Sequence, residues 1–228
     1  MKVGILQAGH APAEMIDQTG NYAQIFERFL SGRGYAFAPY SVVDMEFPES
    51  AKSADCWLIT GSRHGVYDDL PFIEPLKTLV REIYACKLPL VGVCFGHQLI
   101  AEALGGRAEK FSGGWSVGAT EYEFEGGPVT LNAWHQDQVT ALPEEAHVLG
   151  ASPFCKYAFL GYGERVFTVQ AHPEFGSEFI QGLIEKRGRG VVPNALLTQA
   201  TKKLDRENSN SALADRICSV LELAQVTA

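Results

Sequence analysis

The chain has 228 residues, 46% of them apolar, with a mean hydropathy of −0.03 and a formal charge of −8, which is enough material for one well-cored globule. The acidic balance and a pI near 5.3 leave no basic footprint for nucleic acid or an anionic membrane, whereas a small neutral or zwitterionic substrate is compatible. Five cysteines without paired spacing, no stretch of about 18 apolar residues and a start at Met1–Leu6 that reads as a strand rather than a leader together predict a reducing cytoplasm.

Residues 2 to 8 read as a buried strand, closed by Gly9-His10-Ala11-Pro12. Tyr22, Ile25, Phe26, Phe29 and Leu30 then mark one helix face, followed by glycines at 32 and 34 and a strand over 35–42. A second apolar run, Cys56 to Thr60, leads into Gly61-Ser62-Arg63-His64-Gly65-Val66-Tyr67-Asp68-Asp69. A glycine after a parallel strand lets a backbone amide face the crevice at the strand's C-terminal end, where open α/β sheets bind ligands. An amphipathic helix follows, with Phe72, Ile73, Leu76, Leu79, Val80, Ile83 and Tyr84 on one face. Strands near 2, 35, 56 and 88 separated by helices or loops predict an α/β, doubly wound, mostly parallel sheet with helices on both faces.

The fourth strand, Leu90 to Val93, stops at Cys94, and Leu99, Ile100, Ala103 and Leu104 recur beyond it at helical spacing. Gly92 and Gly96 stand two residues on either side, small enough for a sharp strand-to-helix turn that lifts the cysteine to a helix N-terminus. This is a nucleophile elbow with cysteine in place of serine, where first-turn amides and the helix dipole favour the thiolate. Taken alone, Cys94 reads equally well as one more buried cysteine of a central strand.

After Gly105-Gly106 the texture changes to short alternating runs, 107–111, 117–124, 129–131, 148–150, 157–161 and 166–170, which predict antiparallel strands extending the sheet or forming a small second one. The last run ends in His172-Pro173-Glu174. Pro173 holds the chain extended and the i, i+2 spacing turns the Glu174 carboxylate to the side of the His172 imidazole, so Cys94, His172 and Glu174 can serve as nucleophile, base and orienting acid. Residues 175–187 regain helical spacing, 193–204 predict a short helix, and Leu213, Ile217, Val220, Leu221 and Ala224 mark a final amphipathic one.

Gly92-Val93-Cys94-Phe95-Gly96-His97-Gln98 and His172-Pro173-Glu174 together resemble the signatures of the class I, triad-type glutamine amidotransferases, over roughly residues 1 to 188. The resemblance implies a flavodoxin-like sheet, a γ-glutamyl thioester on Cys94 and an oxyanion hole from the amides of Gly61 and Phe95. It also implies glutamine contacts from Trp115, Ser116 and Val117 with Gln98 beside them, and a histidine-bearing loop near the site at Trp134-His135-Gln136-Asp137. Residues 1–188 are then the amidotransferase domain and 189–228 a helical extension packed on it.

The implied reaction releases glutamate and ammonia from glutamine, with no cofactor. A biosynthetic member needs an ATP-dependent synthase partner, because this chain has no phosphate-binding Gly-x-x-x-x-Gly-Lys-Ser/Thr loop. Many such members carry Gly-Gly-Pro where this chain has Gly61-Ser62-Arg63, and this variant looks more like stand-alone guanylate-synthase-like members or γ-glutamyl peptidases. A stand-alone γ-glutamyl peptide hydrolase is therefore the alternative. A non-enzymatic redox sensor on the same fold is disfavoured by the intact histidine and carboxylate. No metal is expected, since His135-x-Asp137 and Cys94-x-x-His97 each lack a second ligand pair.

Overall fold

The computed structural model describes residues 1–227. Its main sheet has nine strands: β1 (Lys2–Leu6), β2 (Ala36–Tyr40), β3 (Cys56–Ile59), β4 (Leu90–Val93), β6 (Ser116–Phe124), β7 (Gly127–His135), β9 (Ala146–Ala151), β10 (Phe159–Tyr162) and β11 (Val166–Val169). They lie in the order β2-β1-β3-β4-β11-β10-β9-β6-β7, and β5 (Arg107–Lys110) and β8 (Asp137–Ala141) form a separate ribbon. From β2 to β11 every neighbour is parallel; from β11 to β7 every neighbour is antiparallel.

The parallel strands are apolar on both sides because helices cover both faces. Leu6, Trp57, Ile59, Leu90 and Val166 pack towards α3 (Ile73–Ala85) and α4 (Phe95–Ala103). Their alternates Val3, Ile5, Leu58, Val91, Val93, Phe167 and Val169 pack towards α2 (Tyr22–Phe29) and α7 (Asn210–Leu221). Leu213, Ile217, Val220 and Leu221 of α7 thus bury their stripe in the core of the sheet itself. A third cluster joins Met15 of α1 (Ala13–Thr19), Ile25, and Phe179, Ile180 and Leu183 of α5 (Ser177–Leu183).

Three expectations need correcting. The run at 166–170, grouped with the antiparallel strands, supplies β11, which pairs parallel with β4 from Val166↔Leu90 to Val169↔Val93. After β4 the chain makes its antiparallel excursion and re-enters the middle of the sheet through the β10–β11 hairpin. Trp134-His135-Gln136-Asp137 is not a free loop: Trp134 and His135 end β7 and Asp137 begins β8. The helix at 175–187 is α5 followed by a wide π-turn over Ile184–Gly188, and α6 (Asn194–Thr201) comes next. α1 was not anticipated, since Met15 is its one buried residue. Among the described residues no helix is long and apolar enough to cross a membrane.

Candidate active site

Cys94 sits between β4 and α4 with φ 52° and ψ −102°, a left-handed backbone that a non-glycine residue adopts only when its surroundings enforce it. Its amide donates to Val169 O of β11 (2.8 Å) and its carbonyl accepts from Gln98 N (3.1 Å), so strand pairing and helix hold it from either side. The flanking glycines are steric necessities: a Cβ on Gly92 would stand 2.6 Å from Gly96 O, and one on Gly96 2.5 Å from Ile59 O. As the first residue of α4, Phe95 has an amide with no acceptor within its own helix.

His172 arrives from the end of β11, its amide donating to Asn132 O (2.8 Å) and its ring stacked on Phe175 with centroids 4.1 Å apart and planes 7° from parallel. The Nδ1–H donates to Glu174 Oε1 at 2.7 Å, between side chains 5% and 1% exposed, which leaves Nε2 as the nitrogen for Cys94. Burial opposes a charge on His172. The Glu174 carboxylate and the sulfur of Cys94, by Coulombic attraction and by hydrogen bonds, outweigh it and push the imidazole up to about 10. Gly61 lies against this pair: a Cβ there would be 2.9 Å from His172 Cε1 and 3.7 Å from Cys94 Cβ. Thr60 Oγ1 donates to Gly61 O (2.9 Å). In a trans peptide this aims the next amide, that of Ser62, the opposite way.

A cavity of about 430 Å³ opens over Cys94 and His172, within the roughly 300–1,000 Å³ range of small-molecule sites. Of the carried-over contacts, Trp115, Gln98 and His135 line it, whereas Ser116 and Val117 do not and instead pair across β6–β7 with His135 and Trp134. Gln98 Nε2 donates to Asp137 O and to Gln170 Oε1, each at 3.0 Å, so its amide donors brace the cavity floor. His135 places Nδ1 3.2 Å from Asp137 O, and burial together with nearby His172 pushes it down to about 3. Behind it, burial and His135 hold His97 at about 3, with Nδ1 2.7 Å from Thr168 Oγ1. One imidazole of the three is thus charged at neutral pH, the one beside Cys94.

Cys56 and Cys155 are pushed up to about 12 by burial and stay thiols, and none of the five cysteines is in a disulfide. Two cavity residues escaped the sequence reading. Tyr22 belongs to the apolar face of α2, yet its phenol, held above the ordinary range by burial and then by Cys94 and Glu174, also feels Arg187 and Arg63. Arg187 comes from the π-turn, and Val191 and Val192 bring the C-terminal segment to the same rim. No local pattern marks either residue, because only the fold brings them near Cys94.

The family model for glutamine amidotransferase class-I matches residues 15–185. The chain is 28% identical to a glutamine amidotransferase-like protein of Schizosaccharomyces pombe, covering 96% of this chain and 98% of that one. It is 28% identical to gamma-glutamyl peptidase 4 of Arabidopsis thaliana, over 87% and 86%. With the glutamine-hydrolyzing GMP synthase of Thermosipho melanesiensis the identity is also 28%, but the match covers 75% of this chain and 35% of that one. Among solved structures, a glutamine amidotransferase from Methylobacillus flagellatus superposes with a TM-score of 0.76 at 18% identity, covering 100% of this chain and 94% of that one. With the elbow cysteine and the His-Pro-Glu segment converging in one cavity inside the matched span, the chain belongs to the class I glutamine amidotransferase family.

Proposed function

We propose that this protein hydrolyses γ-glutamyl amides through a thioester on Cys94. The observation that carries the reading is the junction of Cys94 on its strained elbow, His172 lining the same cavity, and Glu174 2.7 Å behind the imidazole. Cys94 Sγ attacks the side-chain carbonyl carbon. The tetrahedral oxyanion is held by the amides of Gly61 and Phe95, a contribution of about 3 kcal/mol per donor. As the C–N bond breaks, His172 Nε2 gives its proton to the leaving nitrogen. Water then attacks the thioester while His172 takes a proton from it, and glutamate departs with Cys94 restored.

Glu174 fixes the Nδ1–H tautomer and stabilises the imidazolium. Trp115 and His135 shape the glutamyl pocket, Gln98 holds its floor, and Ser116 and Val117 support it from the β6–β7 pairing. Glutamine, releasing ammonia, is the smallest substrate of this type. The cavity volume and the match to a γ-glutamyl peptidase over 87% of this chain support a larger amine leaving group. A second reading, hydrolysis coupled to an ATP-dependent synthase partner, rests on the likeness to GMP synthase. The cytoplasm is the compartment that fits a free catalytic thiol.

The test treats the purified protein with an electrophilic glutamine analogue and follows glutamate release from glutamine and from γ-glutamyl dipeptides. A covalent adduct on Cys94 with glutamate from at least one substrate is expected. No adduct and no glutamate would sink the proposal, and turnover of glutamine alone, raised by an ATP-dependent partner, would favour the second reading.

A further inference from the structure

In a chain with 27 acidic and 19 basic side chains, arginines readily find carboxylates: Arg33 pairs with Asp215, Arg107 with Glu109, Arg206 with Glu121 and Arg216 with Glu125. Arg63 and Arg187 are different. Both line the catalytic cavity, and neither makes an ion pair or hydrogen bond among the described residues. The acids of the same cavity make hydrogen bonds to other groups: Asp68 accepts from Gly65 N (2.9 Å) and Asp137 from Tyr67 Oη (2.9 Å).

Both arginines line the cavity that holds Cys94, and the Tyr22 phenol on its wall feels both guanidinium charges as well as Cys94 and Glu174. Arg187 is also held for the purpose by its backbone. It follows Leu183 by one helical turn on the cavity-lining face, and the next residue, Gly188, is buried where a Cβ would meet Leu197 Cδ2 at 2.7 Å and Trp134 at 3.2 Å. Packing at Gly188 fixes where the Arg187 side chain starts.

Two guanidinium groups with no carboxylate paired to either among the described residues suit an anion rather than a zwitterion. The amino-acid end of a γ-glutamyl group carries an ammonium beside its carboxylate and would bring a positive charge between the arginines. The leaving amino acid of a γ-glutamyl dipeptide carries only a carboxylate, because its nitrogen is already in the scissile amide. Carboxylate geometry also matches the planar fork of arginine.

We propose that Arg187, assisted by Arg63, is the specificity-determining pair that holds the carboxylate of an amino-acid leaving group. This rests on the γ-glutamyl hydrolase reading above and names the leaving-group class it selects.

The experiment compares γ-glutamylglycine with γ-glutamylglycinamide, which differ in that carboxylate alone. The wild-type protein should prefer the free acid. In Arg187→Gln the ratio of kcat/KM for acid over amide should fall by roughly tenfold, mainly through KM, and Arg187→Lys should recover part of it. A ratio unchanged in Arg187→Gln, or lost equally by Arg187→Gln and Arg187→Lys, overturns the pair. Should Arg187→Gln fail to fold, Arg63→Gln with Arg187→Lys supplies the same reading. Calorimetric binding of both compounds to Cys94→Ala protein separates this proposal from the one it rests on. Tighter binding of the acid that Arg187→Gln abolishes, with no turnover by the wild-type protein, keeps the carboxylate site and removes the hydrolase. Turnover by the wild-type protein with no acid preference does the reverse.

Discussion

The two halves of the sheet divide the work differently. In the parallel half, β4 and β11 lie side by side, and each ends in part of the proposed triad, so the positions of Cys94 and His172 are set by strand register. In the antiparallel half and the C-terminal segment, the cavity is lined by side chains such as Trp115, His135 and Arg187 that arrive from separate elements. In the proposed reaction, chemistry that tolerates little displacement is anchored in doubly buried backbone, while the lining proposed to meet the variable part of a substrate sits where residues change at small cost to the core.

The largest expected effect lies in the first region. Cys94→Ser should lower γ-glutamyl hydrolysis about ten-thousandfold or more, because a hydroxyl in this array is a far poorer nucleophile, while the circular dichroism spectrum stays unchanged. Serine at Cys56, Cys155 or Cys218 should leave catalysis intact in whatever fraction folds. Wild-type rates in Cys94→Ser on every substrate would dissolve the distinction between the halves.

Next in size is the pair behind it. His172→Ala should cost nearly as much as losing the cysteine, and Glu174→Gln roughly a hundredfold less, with the double variant little worse than His172→Ala alone. Additive losses would mean that the carboxylate acts by some route other than the imidazole.

The pH profile then sharpens the electrostatics. With His172 pushed up to about 10, the imidazolium that protonates the leaving nitrogen persists through neutral pH, so kcat/KM should fall on an alkaline limb near that value. Glu174 raises the imidazole, so Glu174→Gln should move the limb to lower pH. The linked stability has the same sign: it is fully present below the ordinary histidine value of 6.5 and is lost as pH rises through 10. An alkaline limb that stays put in Glu174→Gln would assign it to another group.

The same division explains what was legible in the sequence. The elbow could be read because its sterics are local: Gly92 and Gly96 have no room for a side chain. The strands at 2, 56 and 90 were plain because burial on both faces makes continuous apolar runs. The direction of β11 was not, since Val166 to Val169 carries the same apolar signal whichever way its neighbour runs, and β8 was hidden in the polar Asp137-Gln138-Val139-Thr140-Ala141. Tyr22 and Arg187 looked like helix-face residues, because what brings them to one cavity is tertiary closure rather than spacing.

The smallest effect on catalysis is expected from the helix that covers the parallel half without touching the cavity. Ile217 of α7 is fully buried in one cluster with Val3, Leu58, Val91 and Phe167, the last two on the strands β4 and β11 that lead to Cys94 and His172. Ile217→Ala should destabilise the fold by about 2–5 kcal/mol, the usual cost of such a truncation in a tight core, seen as a lower denaturation midpoint. The rate per folded molecule should not change, because Cys94 and His172 are held by backbone hydrogen bonds to Val169 and Asn132 that the helix does not make. A fall in kcat matching the fall in stability, under conditions where the variant is fully folded, would mean that α7 transmits its packing through β4 to the elbow. The C-terminal residues would then belong with the catalytic half of the molecule.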